Sequence, residues 1–155
     1  MRGHIGAGGR AALAGGSRLT VLADTGALYA LVDRDDAWHE RVRTWWEGVA
    51  EEVLVPVAVL PELTYLLSRR IGPTAERALV EAVVAGDFTT EPLLAEDIAR
   101  SAELMATYSD TPLGFVDAAI AATAERLGVV RLLTTDRRHF SLIRPRHGPA
   151  FRLLP

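Results

Sequence analysis

"LTVLADTGALYAL", residues 19–31, decides how this chain is read. The apolar run Leu19–Ala23 has the length and composition of a short buried strand. It halts at Asp24, and an apolar, helix-compatible stretch, Thr25–Val32, follows at once. Asp is unfavourable in strands and rarely buried without a partner. A carboxylate at such a junction serves as a helix N-cap, or as a ligand or catalytic group at the carboxyl end of a parallel strand. One Asp does not choose between these.

Working outward, the same alternation recurs. After the polar loop "DRDD", residues 33–36, Asp36 is placed to cap a helix over 38–49, where Trp38, Val42, Trp45 and Val49 recur at helical spacing beside Trp46. "EEVLVPV", residues 51–57, holds a second short strand that Pro56 breaks. A helix is expected over 58–70, with Val59, Leu63, Leu66 and Leu67 on its apolar face, and Pro73 opens another through 85. Residues 88–91 read as a strand, 95–108 as a helix, and 115–127 as an Ala-rich helix closed by Gly128. A fourth strand is expected over 131–134 and a fifth over 151–154. Strands alternating with helices predict one α/β domain, a mainly parallel sheet of about four to five strands covered on both faces.

Composition bounds the rest. The chain has 155 residues, 49% hydrophobic and 24% charged, as in an ordinary globular domain. No apolar run approaches the ~20 residues of a membrane span, and with no Cys there are no disulfides or thiolate metal sites. A cytoplasmic setting and no membrane partner are therefore expected. Residues 1–18 are Gly- and Ala-rich, contain no acid and lack a signal-peptide core; they read as a disordered leader or misplaced start, with the folded domain over 19–155. Net charge is −3, but the three Arg of the leader mask a remainder of −6, too acidic for a generic nucleic-acid coat. There is no Lys, Asn or Gln, and all 17 basic residues are Arg, so Arg usage by itself says little about phosphate recognition.

Four acids are oddly placed. Asp24 ends the first strand and Asp136 follows the fourth within "RLLTTDRRHF". Glu62 is spaced to share the apolar face of Val59 and Leu66, and Asp117 lies among small Ala residues near the start of its helix. Singly, each has a structural reading as a cap, a rim ion pair or a first-turn helix acid. Converging and unpaired, they would repel and their pKa values would rise. A divalent cation resolves that conflict. Oxygen ligands without Cys indicate Mg2+, with Mn2+ as a substitute, and not zinc. His4, His39, His139 and His147 show no metal-ligand spacing and read as solvated or core-edge residues.

The blocks "VLADTGALYALVDRDDAWHE", "VPVAVLPELTYLLSRRIG", "YSDTPLGFVDAAIAATAERLG" and "RLLTTDRRHF" occur in this order over nearly the whole folded chain. Together they resemble the acidic blocks of the PIN domain, and in particular the VapC toxins of bacterial toxin–antitoxin modules. The resemblance implies a three-layer α/β/α fold and a metal-dependent endoribonuclease. Its catalytic pocket would be Asp24, Glu62, Asp117 and Asp136, with metal held by Asp24, Asp117 and Asp136. Thr25 and Thr134 match hydroxyl positions beside that pocket, and Asp110 matches a common acid of less defined role. It further implies a structured RNA substrate such as tRNA or rRNA, a VapB-type antitoxin partner and a homodimer. The Trp cluster would be core or the lining of the antitoxin groove. Arg137 and Arg138, directly after a site Asp, are the foremost candidates to grip RNA phosphates, ahead of Arg34, Arg69 and Arg70. A receiver domain is excluded by the missing Lys. A haloacid-dehalogenase-like phosphatase is disfavoured because Gly26 stands where it needs a second Asp. A catalytically silent PIN-like module binding RNA or protein, and a PIN nuclease outside a toxin–antitoxin system, are the competing readings.

Overall fold

The structure is a computed structural model and describes residues 20–155; the leader and Leu19 lie outside the described residues. Among the described residues five strands, β1 (Thr20–Ala23), β2 (Glu52–Pro56), β3 (Thr89–Glu91), β4 (Arg131–Leu133) and β5 (Arg152–Leu154), form one sheet in the order β3-β2-β1-β4-β5. All four pairings are parallel; Leu22 of β1 sits between Leu54 of β2 and Leu132 of β4. β1 is buried throughout, as a central strand covered on both faces must be.

Among the described residues, seven helices supply the outer layers: α1 (Thr25–Val32), α2 (His39–Gly48), α3 (Leu60–Arg70), α4 (Pro73–Ala85), α5 (Ala95–Thr107), α6 (Phe115–Leu127) and α7 (Arg137–Leu142). α1 packs on α2 and α3, α3 on α4, and α5 on α6, giving the three-layer α/β/α fold. α6 is the most deeply set. Ala118, Ala119, Ile120, Ala121, Ala122 and Ala124 are all buried, and their small side chains let it lie close to its neighbours. Gly128 closes it at φ +67°, a left-handed conformation open to Gly at little cost.

Two ion-pair clusters tie α5 to α6. Arg126 meets Asp97 at 2.9 Å and Glu91 at 2.9 Å, while Arg100 meets Glu125 at 2.7 Å. Asp97 is 1% exposed, so removing Arg126 would strand a buried charge.

Several expectations are corrected. α2 starts at His39 with Trp38 as its N-cap; Asp36 instead accepts the Trp38 N–H at 2.8 Å and shapes the preceding turn. The first residues expected in α3 form a separate 3-10 turn, Val57–Val59. Helix α7 was not anticipated. The three Trp are partly buried against the core, with Trp46 edge-on to Phe88 at 5.9 Å between ring centroids.

Candidate active site

Strand order reverses direction between β1 and β4: β2 and β3 extend to one side, β5 to the other. Connections therefore diverge at the carboxyl ends of β1 and β4, opening the crevice where ligands bind in such sheets. Asp24 follows β1 there, and Asp136 lies just beyond β4.

Asp24 is 5% exposed and both its oxygens are engaged. Oδ1 accepts the Thr25 N–H at 2.6 Å as the cap of α1, and Oδ2 accepts the Thr134 hydroxyl at 2.8 Å. Burial pushes its pKa up to about 7; the Thr134 and Thr25 bonds oppose the rise, and the charges of Asp117 and Glu62 add to it. The Thr134 hydroxyl in turn accepts the Asp136 backbone N–H at 3.0 Å, so one buried side chain ties the two strand-end acids together.

Asp117 is the third residue of α6 and half-buried. Burial raises its pKa to about 6, Asp136 and Glu62 add to the rise, and His139 opposes it. Asp136 caps α7, accepting the Arg138 N–H at 3.0 Å and the His139 N–H at 3.4 Å. His139 Nδ1 lies 3.0 Å from Asp136 and 3.3 Å from Asp117. The reading of His139 as an ordinary solvated or core-edge residue is thus corrected: it stands among the acids. His39 and His147 are core-edge, bonded to the Ala30 and Val129 carbonyls at 2.7 and 2.8 Å.

Asp24, Thr25, Glu62, Asp117 and Asp136 line one cavity of about 370 Å³. Glu62 is exposed at its mouth in the first turn of α3, not on the apolar face as its spacing suggested. Thr25 is 2% exposed, and its hydroxyl has no hydrogen-bond partner among the described residues. Gly26 makes the cavity wall possible. A Cβ there would lie 2.4 Å from Thr135 Oγ1, so a side chain would force the Thr135 hydroxyl to turn away or the first turn of α1 to shift from the loop after β4.

The residues fit a divalent cation. Ligand atoms of Asp117, Asp136 and His139 lie within 4.8 Å of one another, beside an orphaned buried hydroxyl that needs a hydrogen-bonding guest. Asp24 lines the cavity but lies outside that tight set. A larger groove, about 760 Å³, is lined by Tyr29, Asp33, Arg34, Arg70 and Ile71; the converging acids are in the smaller cavity. Of the two Arg after Asp136, Arg137 is occupied, donating to the Pro155 carbonyl at 2.5 Å and lying 5.7 Å from the Trp38 ring centroid. The Arg138 side chain is exposed and has no partner among the described residues.

A three-layer parallel α/β domain with acids converging at its switch point defines a class, and comparison with known proteins places the chain in it. The chain belongs to the PIN domain family, whose model matches residues 21–144. Within that family it is of the VapC type. It is 33% identical over 135 residues to ribonuclease VapC26 of Mycobacterium tuberculosis, covering 87% of this chain and 100% of that one. Its fold is similar to that of M. tuberculosis VapC20, described as a sarcin-ricin loop cleaving toxin, with TM-score 0.72 and 24% identity over 76% of this chain and 91% of that one. It is also similar to DNA-bound VapBC from Salmonella typhimurium, with TM-score 0.64 and 20% identity over 87% of this chain and 96% of that one.

Proposed function

We propose that this protein is a divalent-metal-dependent endoribonuclease and the toxin of a VapBC-type toxin–antitoxin pair. The observation that carries the reading is the convergence of Asp24, Asp117, Asp136 and Glu62 on one cavity. Two of these acids are driven toward neutrality by burial. A fold gains nothing in stability from such a cluster, so its use lies in holding a cation against an anionic substrate. The ribonuclease name of a relative that this chain matches along that protein's full length supports RNA as the substrate class.

Asp117 and Asp136, with Asp24 behind them, would hold the ion. When bound, a divalent cation lowers the pKa of attacking water and neutralises charge on the phosphoryl oxygens. The chain's own residues do the rest. Thr134 fixes Asp24 in one rotamer and spaces it from Asp136. Glu62, at the cavity mouth, accepts a hydrogen bond from the attacking water and aligns it with the phosphorus. The unpartnered Thr25 hydroxyl donates to a phosphoryl oxygen or an ordered water. Arg138 offers an uncommitted guanidinium to a neighbouring phosphate, while Arg137 braces the C-terminal residue instead.

The substrate we propose is structured RNA such as tRNA or rRNA. VapBC and other toxin–antitoxin complexes among the structural relatives support an antitoxin partner. Exposed apolar side chains, Tyr65 on α3, Val80 and Val84 on α4, and Ile98 and Met105 on α5, offer surface for that partner and for a second copy in a homodimer. No described helix is long and apolar enough to cross a membrane, and we place the protein in the cytoplasm. The test is cleavage of total RNA by purified protein in Mg2+ or Mn2+, in EDTA, and by Asp24→Asn. Cleavage lost in EDTA and in the variant is expected; undiminished cleavage in either would remove the metal-nuclease reading.

A further inference from the structure

We infer that His139 is itself a metal ligand of this cavity, making the site a mixed carboxylate–imidazole centre that prefers Mn2+ to Mg2+. The inference rests on the reading above that the cavity holds a divalent cation.

The geometry begins with α7. Asp136 is its N-cap and His139 its third residue; Asp136 and Asp117 line the cavity, while His139 stands just outside that lining, in contact with both carboxylates. There His139 Nδ1 lies 3.0 Å from Asp136 Oδ2 and 3.3 Å from Asp117 Oδ2. Adjacent ligands on an octahedron with bonds of about 2.1 Å are separated by about 3 Å. The imidazole nitrogen therefore already stands at the spacing of a neighbouring coordination position from each carboxylate, and all three residues offer ligand atoms within 4.8 Å of one another. The His139 side chain is only 26% exposed, so its ring is held and not free to swing into water. An independent feature of the same cavity also asks for a guest: Thr25 Oγ1, buried and without a partner among the described residues, is the kind of hydroxyl that an ion's remaining water satisfies.

The chemistry sets the preference. Mg2+ takes oxygen ligands and gives up its waters reluctantly. Imidazole nitrogen favours first-row transition ions, and carboxylates keep Mn2+ among the ions that suit. Two carboxylates and one imidazole accordingly select Mn2+ over Mg2+, whereas an all-carboxylate pocket would not. The competing role for His139 is a plain ion-pair partner that offsets the repulsion of Asp117 and Asp136 and leaves when metal enters.

The two roles separate spectroscopically. Full-length protein is loaded with Mn2+ alone and examined by pulsed EPR for nitrogen coupling, and Mn2+ and Mg2+ affinities are titrated calorimetrically for wild type, His139→Gln and His139→Ala. The expected result is nitrogen coupling in wild type that vanishes in both variants. Mn2+ affinity should fall by about tenfold or more, the scale seen when a metal's supporting residues are removed, with a much smaller change for Mg2+. Two variants, each checked by melting curve, guard against loss of fold at one of them. Bound Mn2+ without nitrogen coupling and with affinity unchanged in His139→Gln would overturn the ligand assignment while leaving the metal-nuclease reading in place. No binding of either ion by wild type would overturn both.

Discussion

The Thr134 hydroxyl donates to Asp24 Oδ2 at 2.8 Å, across 110 residues of sequence, from a side chain with no solvent exposure. The Thr134 hydroxyl oxygen itself accepts the Asp136 N–H, so this side chain couples two strand ends as well as orienting one acid. Thr134→Val keeps the shape and removes both partnerships. Leaving a buried carboxylate oxygen and an N–H short of partners should cost about 1–3 kcal/mol, with a larger proportional loss of RNA cleavage. Thr134→Ser should restore most of both. Denaturant unfolding beside single-turnover cleavage checks it; a Val variant as stable and active as wild type would remove Thr134 from the site.

Gly26 is required by contact and not by backbone conformation. Gly26→Ala should destabilise by roughly 1–3 kcal/mol through overpacking, because its Cβ would meet Thr135 Oγ1 at 2.4 Å. Thr135→Ala in the same chain should recover most of that loss, giving a coupling energy above about 0.5 kcal/mol in a double-mutant cycle. Additive effects would show that the clash is not what Gly26 avoids.

Stability of the metal-free protein should fall as pH rises. Burial holds the Asp24 pKa near about 7 and the Asp117 pKa near about 6, both above the unfolded carboxylate value of about 4. Between those values the native state binds more protons than the unfolded state, so each unit of rising pH costs stability, and the penalty is complete above the folded pKa. Carboxylates held low, such as Glu103 by its hydrogen bond from Arg100, act the other way and only at lower pH. In EDTA the melting temperature should decline from about pH 5 to about pH 7 and then level. Asp117→Asn should flatten part of that slope. A flat wild-type profile would mean the acids do not share a buried site.

Arg137 and Arg138 should separate into different phenotypes. Arg138→Ala should weaken RNA binding and lower the salt dependence by about one counterion, with stability unchanged. Arg137→Ala should lower the melting temperature, since it loses the Pro155 carbonyl and the Trp38 ring. Filter binding across a salt series, with melting curves, distinguishes them.

Much of this was legible in the chain. Asp24 and Asp136 stood out because each follows a short apolar strand run, Asp24 at once and Asp136 after two Thr, and the Ala run of α6 declared a closely packed helix. Glu62 misled because it was spaced from Val59, which lies in the 3-10 turn, and from Leu66, which is only partly buried; the buried face of α3 is that of Leu63 and Leu67. His139 reads from sequence as a solvated or core-edge residue because α7 has six residues and one buried side chain, Phe140, too little to display a period. Without that helix, the pairing of His139 with Asp136 has no visible basis. The contact of Gly26 with Thr135 is a product of tertiary packing and leaves no local signal.

Whether Asp24, Glu62, Asp117 and Asp136 form one metal-binding pocket is tested most directly by a paired melting experiment. Wild type and Asp117→Asn are melted at pH 7 to 8 in EDTA and in millimolar Mg2+ and Mn2+. Relief of the burial penalty on the Asp117 carboxylate, and of its repulsion by Asp136 and Glu62, should make the metal-free variant more stable than wild type by roughly 0.5–2 kcal/mol. Metal should then stabilise wild type more than the variant, through binding to the native state alone. A variant that melts well below wild type in EDTA, with neither protein responding to metal, would contradict the account and leave Asp117 a structural residue of α6.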